Sequence, residues 1–173
     1  MGPFVDFCWN HRRFFKWQGV PDRFLEAMPE NWWADFHFYQ EHSKDCMELF
    51  VMTEQDKIVA GGIVMEGLPP DMKIFEKRVG PFIEKGYLYI GFLFVVKEYR
   101  GQDIGSTWLR CIKGVYGANG FWLTVEEPGL IGFYKKNGFR WEESLTQGQR
   151  SEELLIFEPS NELDRFPKSF PRA

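Results

Sequence analysis

The sequence predicts an α+β fold built on a mixed, mostly antiparallel sheet, and three stretches of the chain point to it. Two extended segments, residues 48–53 and 57–66, flank Glu54-Gln55-Asp56, a polar connector suited to a hairpin turn. The long apolar run 87–96 enters a Gly-containing turn and then a helical stripe of Ile104, Trp108, Cys111, Ile112 and Val115. A short apolar strand over 121–125 follows, leading into a second helix that carries Phe133 and Tyr134. Hairpins give antiparallel neighbours, whereas strand–helix–strand crossovers give parallel ones, so the expected sheet is mixed with helices packed on it.

Taken in order, residues 1–44 are dense in Trp and Phe and read as helical. Pro21-Asp22 starts a helix over 23–28, and Pro29-Glu30-Asn31 precedes another over 32–42, where Trp33, Phe36 and Tyr39 repeat at helical spacing beside Trp32 and Phe38. Any first strand falls within 4–8. Gly61-Gly62, inside the second hairpin strand, predicts a bulge or a close approach of backbone. Leu68-Pro69-Pro70-Asp71 stops that strand, 72–84 reads as an amphipathic helix interrupted near Gly80-Pro81, and Gly86 releases the chain into the long strand. Beyond 121–125, Glu126 and Glu127 precede Pro128, a combination that suits the positive start of a helix. Gly138 fits the position just past that helix, residues 139–143 and 152–157 give two closing strands, and the tail 161–173 reads as irregular.

Bulk properties narrow the function. A chain of 173 residues is long enough for one buried core, so one domain is expected over its length. A net charge of −4 offers no footprint for nucleic acid or an anionic membrane and fits a cationic or neutral partner. The 18% aromatic content points either to an aromatic-walled pocket or to core filling. Cys8, Cys46 and Cys111 form no Cys-x-x-Cys pair, and His11, His37 and His42 stand alone, so neither a disulfide framework nor a metal site is expected. A reducing cytoplasm is the expected home: residues 1–9 lack a basic, apolar leader pattern, and no window reaches membrane-spanning length. No Gly-x-Gly-x-x-Gly follows a strand, and Ser106 lacks a Gly-x-Ser-x-Gly elbow, which disfavours dinucleotide-binding and serine hydrolase readings.

The most informative stretch is Leu93-Phe94-Val95-Val96-Lys97-Glu98-Tyr99-Arg100-Gly101-Gln102-Asp103-Ile104-Gly105-Ser106. A strand here runs through a turn into a helix start, whose first N–H groups are unpaired and carry partial positive charge, a cradle for phosphate. Together with Phe133-Tyr134-Lys135-Lys136-Asn137-Gly138-Phe139, it resembles the acyl-CoA-binding core of the GNAT superfamily of N-acyltransferases over roughly residues 46–158. The family's turn reads Gln/Arg-x-x-Gly-x-Gly/Ala.

That resemblance implies a three-layer α/β/α arrangement whose sheet splays between its fourth and fifth strands. It implies that the backbone of Leu93 and Val95 grips a pantetheine arm, and that Arg100, Gly101, Gln102, Asp103, Ile104, Gly105 and Ser106 cradle the pyrophosphate of acetyl-CoA. Tyr134 matches the family's acid, which protonates the departing thiolate. Two positions depart from the pattern. Asp103 stands where the turn usually has its first glycine, either capping the helix in competition with phosphate or turning away to leave the cradle intact. Glu127 stands where an Asn is often found. Many members place a basic carboxylate on strands that here show Tyr87, Tyr89 and Trp122, so Glu126, beside Glu127, is the nearest candidate base, with ordered water as its rival.

The acceptor side is expected from Trp32, Trp33, Phe36, Phe38 and Tyr39 and from the insertion 68–86. The implied activity is transfer of acetyl from acetyl-CoA to an amine, with small molecules favoured, in a ternary complex. The alternative is a degenerate GNAT fold that binds CoA or serves as an interaction module without turnover. No nucleic-acid or membrane partner is expected, and a homodimer is left open.

Overall fold

Three tight turns and three long helical connections bring most strands beside their sequence neighbours. The computed structural model describes residues 7–159. Its strands are β1 (Phe7–Trp9), β2 (Arg12–Lys16), β3 (Met47–Glu54), β4 (Lys57–Met65), β5 (Leu88–Val95), β6 (Phe121–Val125), β7 (Arg140–Gln147) and β8 (Arg150–Phe157). They form one sheet in the order β1-β2-β3-β4-β5-β6-β8-β7. Only β5–β6 is parallel; the other pairs are antiparallel. Two of the hairpins close through residue pairs with positive φ, Asn10 and His11 (48° and 65°) and Gln55 and Asp56 (48° and 64°), the geometry whose twist matches that of paired strands.

Helices cover both faces, as the three-layer expectation requires. On one face α1 (Pro21–Ala27), α2 (Trp33–Ser43) and α3 (Glu76–Glu84) bury Phe24, Phe36, Tyr39, Val79 and Phe82 against Val51, Ile63, Trp122 and Ile156 of the sheet. On the other, α4 (Ile104–Tyr116) and α5 (Ile131–Lys136) bury Ile104, Trp108, Ile112 and Tyr134 against Phe14, Phe50, Ile90 and Leu123. The predicted stripe of α4 is the face that packs, with Val115 half-buried at its end.

Two irregularities of β5 shape the site. Opposite β4, Ile63 pairs with Gly91 and Gly61 with Phe94, so β5 carries one residue more than its partner. Phe92, with φ of 50°, takes up that extra residue, and the alternation of faces resets. Leu88 and Ile90 face α4 before the bulge, as Leu93 and Val95 do after it. Gly61-Gly62 is the counterpart on β4: a Cβ on Gly61 would meet Phe24 and Phe94 at 2.8 and 2.9 Å, and one on Gly62 would meet Trp108 at 2.7 Å. The predicted close approach is therefore real and is made by aromatic rings. The second irregularity is the splay. β5 and β6 pair only at Leu88 with Phe121 and Tyr89 with Trp122, after which the two strands separate.

The structure corrects several sequence expectations. Residues 12–16 form β2 rather than helix or loop; Arg12 occupies an inward position, paired with Glu54 at 3.1 Å and donating to Gln102 at 2.6 Å, and that buried charge hides the strand's alternation. The interruption expected near Gly80-Pro81 does not occur, and α3 runs through Pro81. The ring removes only the donor for the Lys77 carbonyl, and both residues are exposed, so solvent reaches that carbonyl. β7 and β8 extend to a hairpin at Gly148, longer than 139–143 and 152–157, because their outer residues pair through backbone despite polar side chains. Of the first strand expected within 4–8, residues 7 and 8 fall in β1, while 4–6 and the tail 161–173 lie outside the described residues.

Candidate functional site

The turn from β5 into α4 is built on two left-handed residues, Gly101 with φ of 75° and Asp103 with φ of 60° and ψ of 17°. Glycine adopts this region freely, and Asp is among the few other residues that tolerate it. Asp103 occupies the N-cap position of α4, yet its side chain caps nothing. One carboxylate oxygen accepts from Arg110 Nη2 at 3.1 Å, and the other lies 3.9 Å from Lys136 Nζ. The first bond of the helix is Thr107 N–H to the Asp103 carbonyl at 3.0 Å, reinforced by Thr107 Oγ1 at 2.8 Å. No side chain at the cap competes for the amides of Ile104, Gly105 and Ser106.

These residues line a groove of about 680 Å³ that follows the splay. Leu93, Val95, Arg100, Gly101, Asp103, Ile104, Gly105 and Ser106 all contribute to its wall. Gln102 does not, because its side chain turns to Arg12 of β2. Arg100 braces the turn by donating Nε–H to the Val95 carbonyl at 3.0 Å. α5 closes the far wall: a Cβ on Gly105 would lie 3.1 Å from the Phe133 ring, and Asn137 Nδ2 donates to Ser106 Oγ at 3.1 Å. Uncapped amides, Arg100 and Lys136 lie along the groove, and its turn carboxylate is paired with cations, an arrangement that can cradle an anion.

Tyr134 stands where this groove meets a second pocket, of about 450 Å³, and lines both. Burial alone pushes its phenol well above the usual tyrosine value, so the group is a neutral proton donor. Among the described residues no protein group hydrogen-bonds its hydroxyl, and Phe133 and Phe139 hold the ring edge-on at 5.0 and 5.6 Å. The second pocket has walls from Trp32, Tyr39, Tyr89 and Phe92, with Asp35, Asp71, Glu126, Glu127 and Glu152 around them. No Lys or Arg lines it. Glu126 faces only this pocket, whereas Glu127 borders both.

Of the aromatic residues expected to shape the acceptor side, Trp32 and Tyr39 do so. Trp33 instead donates its indole N–H to the Met28 carbonyl at 3.4 Å, Phe36 stacks on Phe24 in the core, and Phe38 packs outward on His42. The insertion 68–86 contributes Asp71, which accepts from the Tyr39 hydroxyl at 2.5 Å. Tyr89 lies flat over Gly91, where a Cβ would come within 2.6 Å of its ring. Sequence reasoning missed Asp71 and Glu152. The signal for Glu152 was a charged residue at an inward register of the apolar strand β8, on the face shared by Leu154 and Ile156.

The sequence model of the acetyltransferase (GNAT) family matches residues 9–139. The chain belongs to that family. Solved GNAT structures share its fold at low identity. An acetyltransferase from Bacillus subtilis in complex with CoA superposes with a TM-score of 0.59 at 13% identity, covering 85% of this chain and 98% of its own. A GNAT acetyltransferase from Staphylococcus aureus gives 0.59 at 12% identity over 84% and 98%, and one from Elizabethkingia anophelis with acetyl-CoA bound gives 0.55 at 16% over 87% and 99%. No curated protein matches the chain. In this GNAT protein the β5–β6 pairing ends after Tyr89 with Trp122, β5 carries its bulge at Phe92, and the turn carries Asp103 at the start of α4. Among the described residues no group of His, Cys, Asp or Glu could hold a metal ion, and no helix is long and apolar enough to cross a membrane.

Proposed function

We propose that this GNAT protein transfers an acetyl group from acetyl-CoA to the amine of a small molecule, directly, with both substrates bound together. The observation that carries the reading is the meeting of an anion-cradling groove and an acidic, aromatic pocket at one buried phenol, Tyr134. Acetyl-CoA supplies an acyl group activated as a thioester. Uncapped amides at the start of α4, with Arg100 and Lys136, hold its diphosphate. The edge of β5 beyond Tyr89, unpaired by β6, offers Leu93 and Val95 to the arm as an added strand would take them. Tyr134 gives its proton to the leaving sulfur, and Glu126, on the acceptor side, takes one from the incoming ammonium.

The other reading is a fold that binds without turnover. The pairing of Asp103 with Arg110 and Lys136, and the carboxylates in the acceptor pocket, favour transfer over it. The test is release of free thiol from acetyl-CoA across a panel of primary amines, with Tyr134→Phe as the diagnostic variant. Loss of a general acid costs about 10²- to 10⁴-fold in rate, so kcat should fall by at least about 100-fold while acetyl-CoA affinity stays within about threefold. Full turnover by the variant would remove Tyr134 from the chemistry.

A further inference from the structure

We infer that the acceptor pocket takes a small alkyl diamine and that Glu152 holds the ammonium group that does not react. The inference rests on the acyl-transfer reading above and names its acceptor class. Glu152 is 5% exposed, and its two carboxylate oxygens differ in their surroundings. Oε1 accepts from Arg150 Nη2 at 2.9 Å and Nε at 3.3 Å, whereas Oε2 is buried with no partner. Glu152 lines the pocket, and a buried carboxylate oxygen left unpaired is costly, so a donor that reached it would relieve that cost. The other unpartnered buried polar atom among the described residues is Trp122 Nε1, which does not line this pocket.

The distribution of charge calls for two cations. Of the five carboxylates lining the pocket, Asp71 and Glu152 share the single guanidinium of Arg150, and Asp71 also accepts from Tyr39. Glu126 and Glu127 are exposed, and Glu127 borders the donor groove where transfer takes place, whereas Glu152 borders only the acceptor pocket. Anionic groups thus stand at two places: beside the reacting end and at a buried site on β8. A monoamine answers one of them. A diamine answers both, its second ammonium keeping a charge like that of a lysine, whose ordinary pKa is about 10.4. Trp32, Tyr39 and Tyr89 line the same pocket with aromatic surface, which suits an alkyl linker and attracts alkylammonium ions. An α-amino acid would bring its carboxylate among these anions.

The inference is tested by calorimetry with butane-1,4-diamine and butylamine as probes, on the protein saturated with CoA. Wild type should bind the diamine at least about tenfold more tightly, the effect of one added ion pair at surface-like dielectric. Glu152→Gln keeps volume and the Arg150 contact, and should bring the ratio of the two affinities close to one. Asp71→Asn, at the exposed rim, should lower it less. Equal affinities for the two amines in wild type, or an undiminished ratio in the Glu152 variant, would overturn the inference, and the wild-type comparison needs no variant to fold. Thiol release separates the two readings: turnover of monoamines or amino acids but not of the diamine defeats the diamine assignment alone. Tight diamine binding without thiol release from any amine upholds the pocket and defeats acyl transfer.

Discussion

A left-handed backbone at Asp103 decides how a carboxylate can sit beside a phosphate cradle. Because φ is 60° there, the side chain leaves the helix axis and meets Arg110 and Lys136 instead of the first amides of α4. The residue's charge still offsets part of the positive charge of Arg110 and Lys136, which it pairs. An unpaired carboxylate about 5 Å from phosphate costs roughly 1–3 kcal/mol between water-like and surface-like dielectric. Asp103→Gly keeps the left-handed turn at no steric penalty, removes the charge and releases both cations, so acetyl-CoA should bind up to about tenfold more tightly by calorimetry. Asp103→Asn should move the same way, and unchanged or weaker binding in both would place the diphosphate elsewhere. At this scale the turn was legible because the glycines and the helix stripe share one short stretch. The direction of the Asp103 side chain was not, since it depends on Arg110 one helical turn beyond Ser106 and on Lys136 of α5. Gln102 escaped for the same reason: its partner is Arg12, on a strand whose own pattern was masked.

Elements that announce themselves by local pattern were readable, and those defined by distant partners were not. The β3–β4 hairpin and the run from β5 into α4 carry alternation, turn residues and a helical stripe within a few residues of each other. β2 lacks such a pattern because the inward position of Arg12 is satisfied by Glu54 and Gln102 from other elements. Gly61-Gly62 pointed to an irregularity in β4, whereas the extra residue lies on β5 opposite, at Phe92. Just before the bulge the Tyr89 ring lies across Gly91, packed against Trp122 at 4.8 Å and near Tyr39 at 6.4 Å. A methyl group at Gly91 would enter that ring, which is confined by two other aromatics and can yield only toward the acceptor pocket. Gly91→Ala should therefore destabilise by about 1–3 kcal/mol, the usual effect of overpacking. The melting temperature should drop by roughly 2–12 °C, read by thermal unfolding. An unchanged melting temperature would mean that the ring has room to leave the strand.

Across the whole molecule, the sheet is two halves held together along a short seam. Five strands on one side and three on the other meet at just two residue pairs, Leu88 with Phe121 and Tyr89 with Trp122. α4 spans the gap that follows. Its Trp108 donates to the Phe50 carbonyl of β3 at 3.2 Å, its Tyr116 hydroxyl reaches Glu48, and its Ser106 and Lys113 meet Asn137 beyond α5. The exposed edge of β5 inside the splay is backbone with no strand partner, the kind of surface that proteins otherwise cover or pair. A ligand that lies along this edge supplies the missing neighbour and is bound by the folded state alone. At about 100 times its dissociation constant, such a ligand adds about 2.7 kcal/mol of stability. For a chain of this length that raises the melting temperature by roughly 5–11 °C. Acetyl-CoA should produce this shift in a thermal melt, whereas ADP, which carries a diphosphate but no pantetheine arm, should give clearly less at the same concentration because it leaves the β5 edge bare. Equal shifts from the two would mean that the splay goes unused, and the absence of any shift with acetyl-CoA would mean that the groove does not receive it.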